Sequence, residues 1–243
     1  MSKYIIADVK RVLKIVSYWI IVILMIWFCS SFATTGGVTS IDMVDAVKTL
    51  FVYACVPCGF LEIIYILGED LKARKAQIAI GVGVSKGKVI IAKWIECIII
   101  ATIQQGLLLL AVFLYALKEN AAFSASDWRE VILVVIMSIV TTGVYLALVF
   151  PIITAAGGTS LAMVIYIFLS TGLINKGLSY LELLRPIQRL HIIGKTPTNL
   201  INVCRSRMVL GTFALGQWIG VVLFIVAFLG LSVFIYQRQE LEF

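Results

Sequence analysis

Histidine occurs once in this 243-residue chain, at His191, without acidic or cysteine companions, which leaves little from which to build a metal centre or a histidine-based catalytic site. Only 14% of the residues are charged, far below what a soluble domain needs to cover its surface. The five cysteines give no disulfide framework, because Cys29, Cys55, Cys58 and Cys97 all fall inside apolar runs and only Cys204 does not. They read as small apolar fillers. A nucleotide-binding loop is also missing. Gly83 and Gly87 are one residue too close for a Walker A loop, and Val89 rather than Ser or Thr follows Lys88, so the hydroxyl that would meet magnesium is lacking. The first apolar run is rich in aromatics, has no small-residue cleavage pattern and follows a charged helix, so it is expected to stay in the mature protein.

What the chain has in abundance is apolar sequence, 61% of its residues, with a mean hydropathy of +1.06. A helix crosses a bilayer core of roughly 30 Å with about 20 apolar residues. Runs of that kind predict an all-α polytopic membrane protein, a single transmembrane domain over residues 1–243 with six spans at 17–32, 47–67, 89–117, 129–152, 159–174 and 212–236. Lys3, Lys10, Arg11 and Lys14 precede the first span, and Lys72, Arg74, Lys75, Lys86 and Lys88 fill the second connection. The first and third connections carry far fewer, Lys48, Lys118 and Arg129. Positive residues favour the cytoplasmic side, which places both termini and the 68–88 island there. The net charge of +7 then reflects topology and lipid contact, not a nucleic-acid partner.

Before the first span, Ile5, Val9, Val12, Leu13 and Val16 share one arc of a helical wheel and the four basic residues the other, the pattern of an interfacial helix, placed at 3–15, lying along the membrane. Asp127 followed by Glu130 suggests a capping box opening the fourth span. Phe150 to Ser160, with one proline and a glycine pair, suggests a tight turn. The segment 175–211 is too interrupted to cross. It predicts two short helices dipping into the outer leaflet, the second begun by Thr196 and Pro197, and its Arg185, Arg189, Arg205 and Arg207 make it basic. Those arginines suit contact with anionic outer-leaflet headgroups or an exit-side contact with substrate.

Glu62, Lys93 and Glu96 fall inside or at the edge of apolar spans, where ionisable groups pair, snorkel or mark a pathway. A Glu62–Lys93 pair across the second and third spans is one expectation. Gln104 and Gln105 lie deeper, and at least one should face other helices. Gly216 and Gly220 form a close-packing pair that serves either intrachain packing or a dimer contact. Cys55-Val-Pro-Cys58 has thiol–disulfide spacing, but hydrocarbon surroundings favour neutral thiols, and Pro57 reads better as a helix kink.

The stretch Gly68 to Trp94, with its acidic start, short helical segment, small-residue turn and the run Gly83, Ser85, Lys86, Ile90, Lys93, resembles the corresponding region of type-2 ATP-binding-cassette (ABC) exporter permeases. The order of spans, interfacial helix and outer segment extends the resemblance across the chain. It implies a cytoplasmic coupling helix at 69–82, with Glu69, Asp70, Leu71, Lys72, Arg74, Lys75 and Ile78 docking on a separate ABC ATPase. It further implies an outer gate with Arg185, Arg189, Arg205 and Arg207, two ATPase copies, a second permease in a homodimer, surrounding membrane lipids and a bacterial plasma-membrane location. ATP and magnesium would sit on the partner, with no cofactor, metal or catalytic residue on this chain. The small size is similar to permeases that export, or give immunity to, amphipathic peptides. A secondary transporter without an ATPase, and a membrane thiol oxidoreductase using Cys55 and Cys58, are the alternatives.

Overall fold

The computed structural model describes residues 2–35, 40–68, 80–81, 83–118, 123–182 and 193–238. Every regular element among them is helical. In chain order these are α1 (Ser2–Val12), α2 (Val16–Thr35), α3 (Ser40–Glu62) running into a π-helical turn (Ile63–Gly68), α4 (Lys86–Lys118), α5 (Ala125–Ala156), α6 (Ser160–Ser170), α7 (Leu173–Glu182), a 3-10 turn (Ile193–Lys195), α8 (Pro197–Val209) and α9 (Leu215–Arg238). An apolar medium gives the backbone no outside partners, so helices that satisfy their own hydrogen bonds are the form such runs take.

Four segments are long and apolar enough to cross a membrane: Val44–Gly68, Lys86–Lys118, Ala125–Ala156 and Leu215–Arg238. Large apolar side chains on their outer faces, Leu114, Ile132, Leu223 and Val226 among them, are exposed, as a lipid-facing surface requires and an aqueous one does not tolerate. These features are those of a multi-pass membrane protein. The segment expected to form a fifth span, 159–174, is instead broken. Gly172 takes a left-handed φ of 74°, α6 stops at Ser170, and α7 leaves at 68° to it. At 11 residues α6 extends only about 17 Å, too short to cross alone; with α7 it counts as a fifth, bent candidate. Of α2, the described apolar stretch is Val16–Trp27.

The bundle is organised around α5, which packs on α3, α4, α6, α8 and α9. Its start differs in register from the expectation. Ser124, not Asp127, is the N-cap, and Asp127 completes the capping box by accepting from the Ser124 backbone N–H at 2.9 Å. Glu130 is thereby released to meet Lys48 of α3 at 2.5 Å. The helix then runs through Pro151, so the expected turn at 150–160 contracts to the residues around Gly157, whose φ of 62° closes α5. At the other end of the bundle Lys86 donates to the Gln237 carbonyl at 3.2 Å, joining the first residue of α4 to the last turn of α9. α1 reaches the same end, packing on α4 and the π turn.

Between α3 and α6 the approach is set by Gly59. A Cβ there would lie inside the Tyr166 ring, and the ring uses that space to place its hydroxyl 2.5 Å from the Cys55 carbonyl, to which it donates. Tyr166 also stands edge-on to Tyr145 of α5, 6.4 Å between centroids. Overpacking such a site costs about 1–3 kcal/mol. Gly59→Ala is therefore expected to lower the melting temperature of the detergent-solubilised chain, and Tyr166→Leu to recover part of that loss. Strict additivity of the two changes would contradict the contact.

Candidate functional site

At the end of the bundle that holds α1, the amphipathic helix uses a third face. Tyr4, Asp8 and Arg11, spaced four and three residues apart, share a stripe beside the apolar arc and point at α4. Lys93, in the second turn of α4, is only 4% exposed. Its ammonium contacts the Asp8 carboxylate, reaches Glu96 Oε2 at 2.7 Å and sits 4.7 Å from the centre of the Tyr4 ring. Arg11 closes the set with its Nε 3.5 Å from Asp8 Oδ1. Cations and carboxylates thus meet in one largely buried cluster, the arrangement that makes burial of charge tolerable.

The expected Glu62–Lys93 pair is not formed. Lys93 takes its counter-charges from α1 and from the next turn of its own helix, because α1 packs against the face of α4 on which they lie. Glu62 is the last residue of α3, where the backbone passes into the π turn. It is 1% exposed, and neither carboxylate oxygen has a hydrogen-bond partner among the described residues. Its neighbours are aromatic: Tyr18 of α2 and Tyr166 of α6 both lie within electrostatic reach of its carboxyl group. Gln104 and Gln105 are both fully buried. Glu62, Gln104 and Gln105 therefore add a second polar tier, buried and without ion pairs among the described residues.

Other sequence-predicted positions separate. Glu69, Asp70, Leu71, Lys72, Arg74, Lys75 and Ile78, with the rest of the expected coupling helix up to residue 79, lie outside the described residues, as do Arg185, Arg189 and His191. Arg205 lines a cavity in the opposite half of the bundle, whereas Arg207 of the same helix is exposed. Gly220 serves intrachain packing, since a Cβ there would come within 3.0 Å of Leu200 of α8; Gly216 faces open space. Cys55 and Cys58 are both buried. Thr196 caps α8 by accepting from the Asn199 N–H at 3.3 Å. Among the described residues no group of three His, Cys, Asp or Glu side chains could hold a metal ion.

Sequence reasoning missed Asp8, Tyr4 and Arg11 as a set. The available signal was the spacing itself, which places one carboxylate, one ring and one guanidinium on a single helical face beside an apolar arc. No family model matches the chain, and no curated protein matches it either.

Removing one member of a buried ionic cluster strands the others at a cost of about 3–5 kcal/mol, whereas neutralising all members together is often near neutral. Lys93→Met should markedly lower thermal stability in detergent, and the combined Asp8→Asn, Arg11→Gln, Lys93→Met, Glu96→Gln change should restore most of it. A Lys93→Met protein as stable as the native chain would contradict the cluster.

Proposed function

We propose that the chain is the membrane-embedded permease subunit of a type-2 ABC exporter, crossing the bilayer six times with both termini cytoplasmic and moving an amphipathic peptide outward. The observation that carries the reading is the placement of the ionic cluster. The charged island 68–88 leads directly into α4, and two turns into α4 Lys93 is joined to α1. A force applied to the island by a closing ATPase would pass along α4 and through Lys93 to the interfacial helix, so that both move as one piece. Such coupling works only if the ATPase makes different contacts in its two states, which a charged island suits better than an apolar one.

Further support comes from the bias of lysine and arginine to the termini and the island, and from the meeting of α1, the start of α4 and the end of α9 at one end of the bundle. The second permease, as a homodimer, and two ATPase copies complete the proposed exporter. Glu62 and the broken α6–α7 pair favour a second reading, a secondary transporter, whose sites are built from interrupted helices and intramembrane carboxylates. It differs in needing no ATPase.

Affinity purification of the full chain from its native membrane is expected to recover a soluble P-loop ATPase. Arg74→Glu with Lys75→Glu should reduce that recovery by about tenfold, equivalent to about 1.4 kcal/mol. Recovery undiminished by the reversal and by deletion of 73–81 would overturn the coupling assignment, and transport by the reconstituted chain alone would favour the secondary transporter.

A further inference from the structure

In the half of the bundle away from the ionic cluster, α3, α5, the α6–α7 elbow and α8 enclose a cavity of about 180 Å³. Ser170, Thr171 and Gly172 of the elbow form one wall of it, and α8 lies beside them. α8 is held at that depth by Tyr145 of α5, whose hydroxyl donates to Thr198 Oγ1 at 2.9 Å.

Four polar side chains lining this cavity, Ser138, Thr198, Asn202 and Arg205, keep hydrogens to donate, whereas the hydroxyls of Thr141, Tyr145, Ser170 and Thr171 already donate within the bundle. Thr198, Asn202 and Arg205 recur at helical spacing on one face of α8. Thr198 accepts from Tyr145, so its own hydroxyl hydrogen remains to be given. Asn202 accepts from Arg205 at 3.1 Å through Oδ1, which leaves its amide nitrogen as a donor. Ser138 of α5 lies against the cavity with only 4% exposure, and its hydroxyl is buried without a hydrogen-bond partner among the described residues. Exposure falls from Asn202 through Arg205 to Ser138, so the donors run from mouth to floor. No carboxylate is found among the described lining residues, and no ion pair to Arg205 is present among the described residues.

We infer that this cavity binds one phosphate or carboxylate group, with Arg205 as its counter-charge and Ser138, Thr198 and Asn202 as neutral donors. A guanidinium is charged at every physiological pH and its planar fork matches such oxyanions. A buried hydroxyl without a partner is costly, and an oxyanion at the floor would remove that cost for Ser138. The volume is below the roughly 300–1,000 Å³ of sites for drug-sized ligands, so it suits a headgroup and not a whole peptide. Apolar side chains, Val52, Val134 and Met137, complete the wall, as an amphiphile carrying the acidic group would need. The site is independent of the exporter reading, since it concerns binding to the chain alone.

The test is binding to the full chain in zwitterionic nanodiscs, with inorganic phosphate, dihexanoyl phosphatidate and uncharged dihexanoylglycerol as probes. Phosphatidate is expected to bind at least tenfold more tightly than dihexanoylglycerol. Arg205→Gln should weaken phosphatidate binding tenfold or more, and Ser138→Val, which blocks the floor without altering charge, should weaken it severalfold. Arg207→Gln should leave it unchanged. Equal binding of inorganic phosphate and phosphatidate would assign the site to free anions, and preference for phosphatidate to a lipid headgroup; either supports the inference. No advantage of the charged probes over dihexanoylglycerol, or equal losses in Arg205→Gln and Arg207→Gln, would overturn it.

Discussion

A lysine ammonium that is 4% exposed inside an apolar bundle sets the terms for everything around it. Removing such a charge from water costs several kcal/mol even after relaxation, and the cost is tolerable only where carboxylates and a polarisable ring replace the lost hydration. For Lys93 these come from two elements: Glu96 from α4 itself, and Asp8 and Tyr4 from α1. The amphipathic helix is consequently more than a membrane-surface segment. It supplies a counter-charge without which the base of α4 would be strained, and in return it is fixed in position on the bundle.

Two consequences follow for mechanics. α1, α4 and the last turn of α9 are joined at one end by the Lys93 cluster and by the Lys86–Gln237 hydrogen bond, so that end behaves as a connected plate. Beside it, Glu62, Tyr18, Gln104 and Gln105 form a polar tier with few internal bonds. Polar groups buried with incomplete pairing are where a packed bundle most readily rearranges. The opposite half is built differently, around an elbow at Gly172 and a short helix held by Tyr145.

The long apolar runs that became α3, α4, α5 and α9 were legible because length and composition alone determine whether a helix can cross a bilayer. The Thr196–Pro197 start of α8 was legible for a similarly local reason, a side chain capping its own helix. What one dimension does not carry is pairing. Lys93 was expected opposite Glu62 because the two lie on neighbouring spans, yet its partners come from residue 8 and from its own helix. The choice depends on how α1 lies across α4. The break at Gly172 was hidden because Ser-Thr-Gly-Leu-Ile is apolar enough to continue a span, and only the left-handed φ reveals that the chain turns there. The capping box moved by three residues, from Asp127 to Ser124, since aspartate can serve either as cap or as the third helical residue. The cavity around Arg205 was beyond reach for the same reason as Lys93: its walls come from four separate elements.

Hydrogen–deuterium exchange of the chain in lipid nanodiscs tests most directly whether the charge cluster fixes α1 to the bundle. Tyr4→Ala with Asp8→Ala removes the α1 ring and carboxylate from the Lys93 ammonium but leaves the Lys93–Glu96 pair at 2.7 Å within α4. Faster exchange confined to Ser2–Val12, with α4 protected as in the native chain, is the predicted result. Unchanged exchange in α1, or equal loosening of α4, would contradict it.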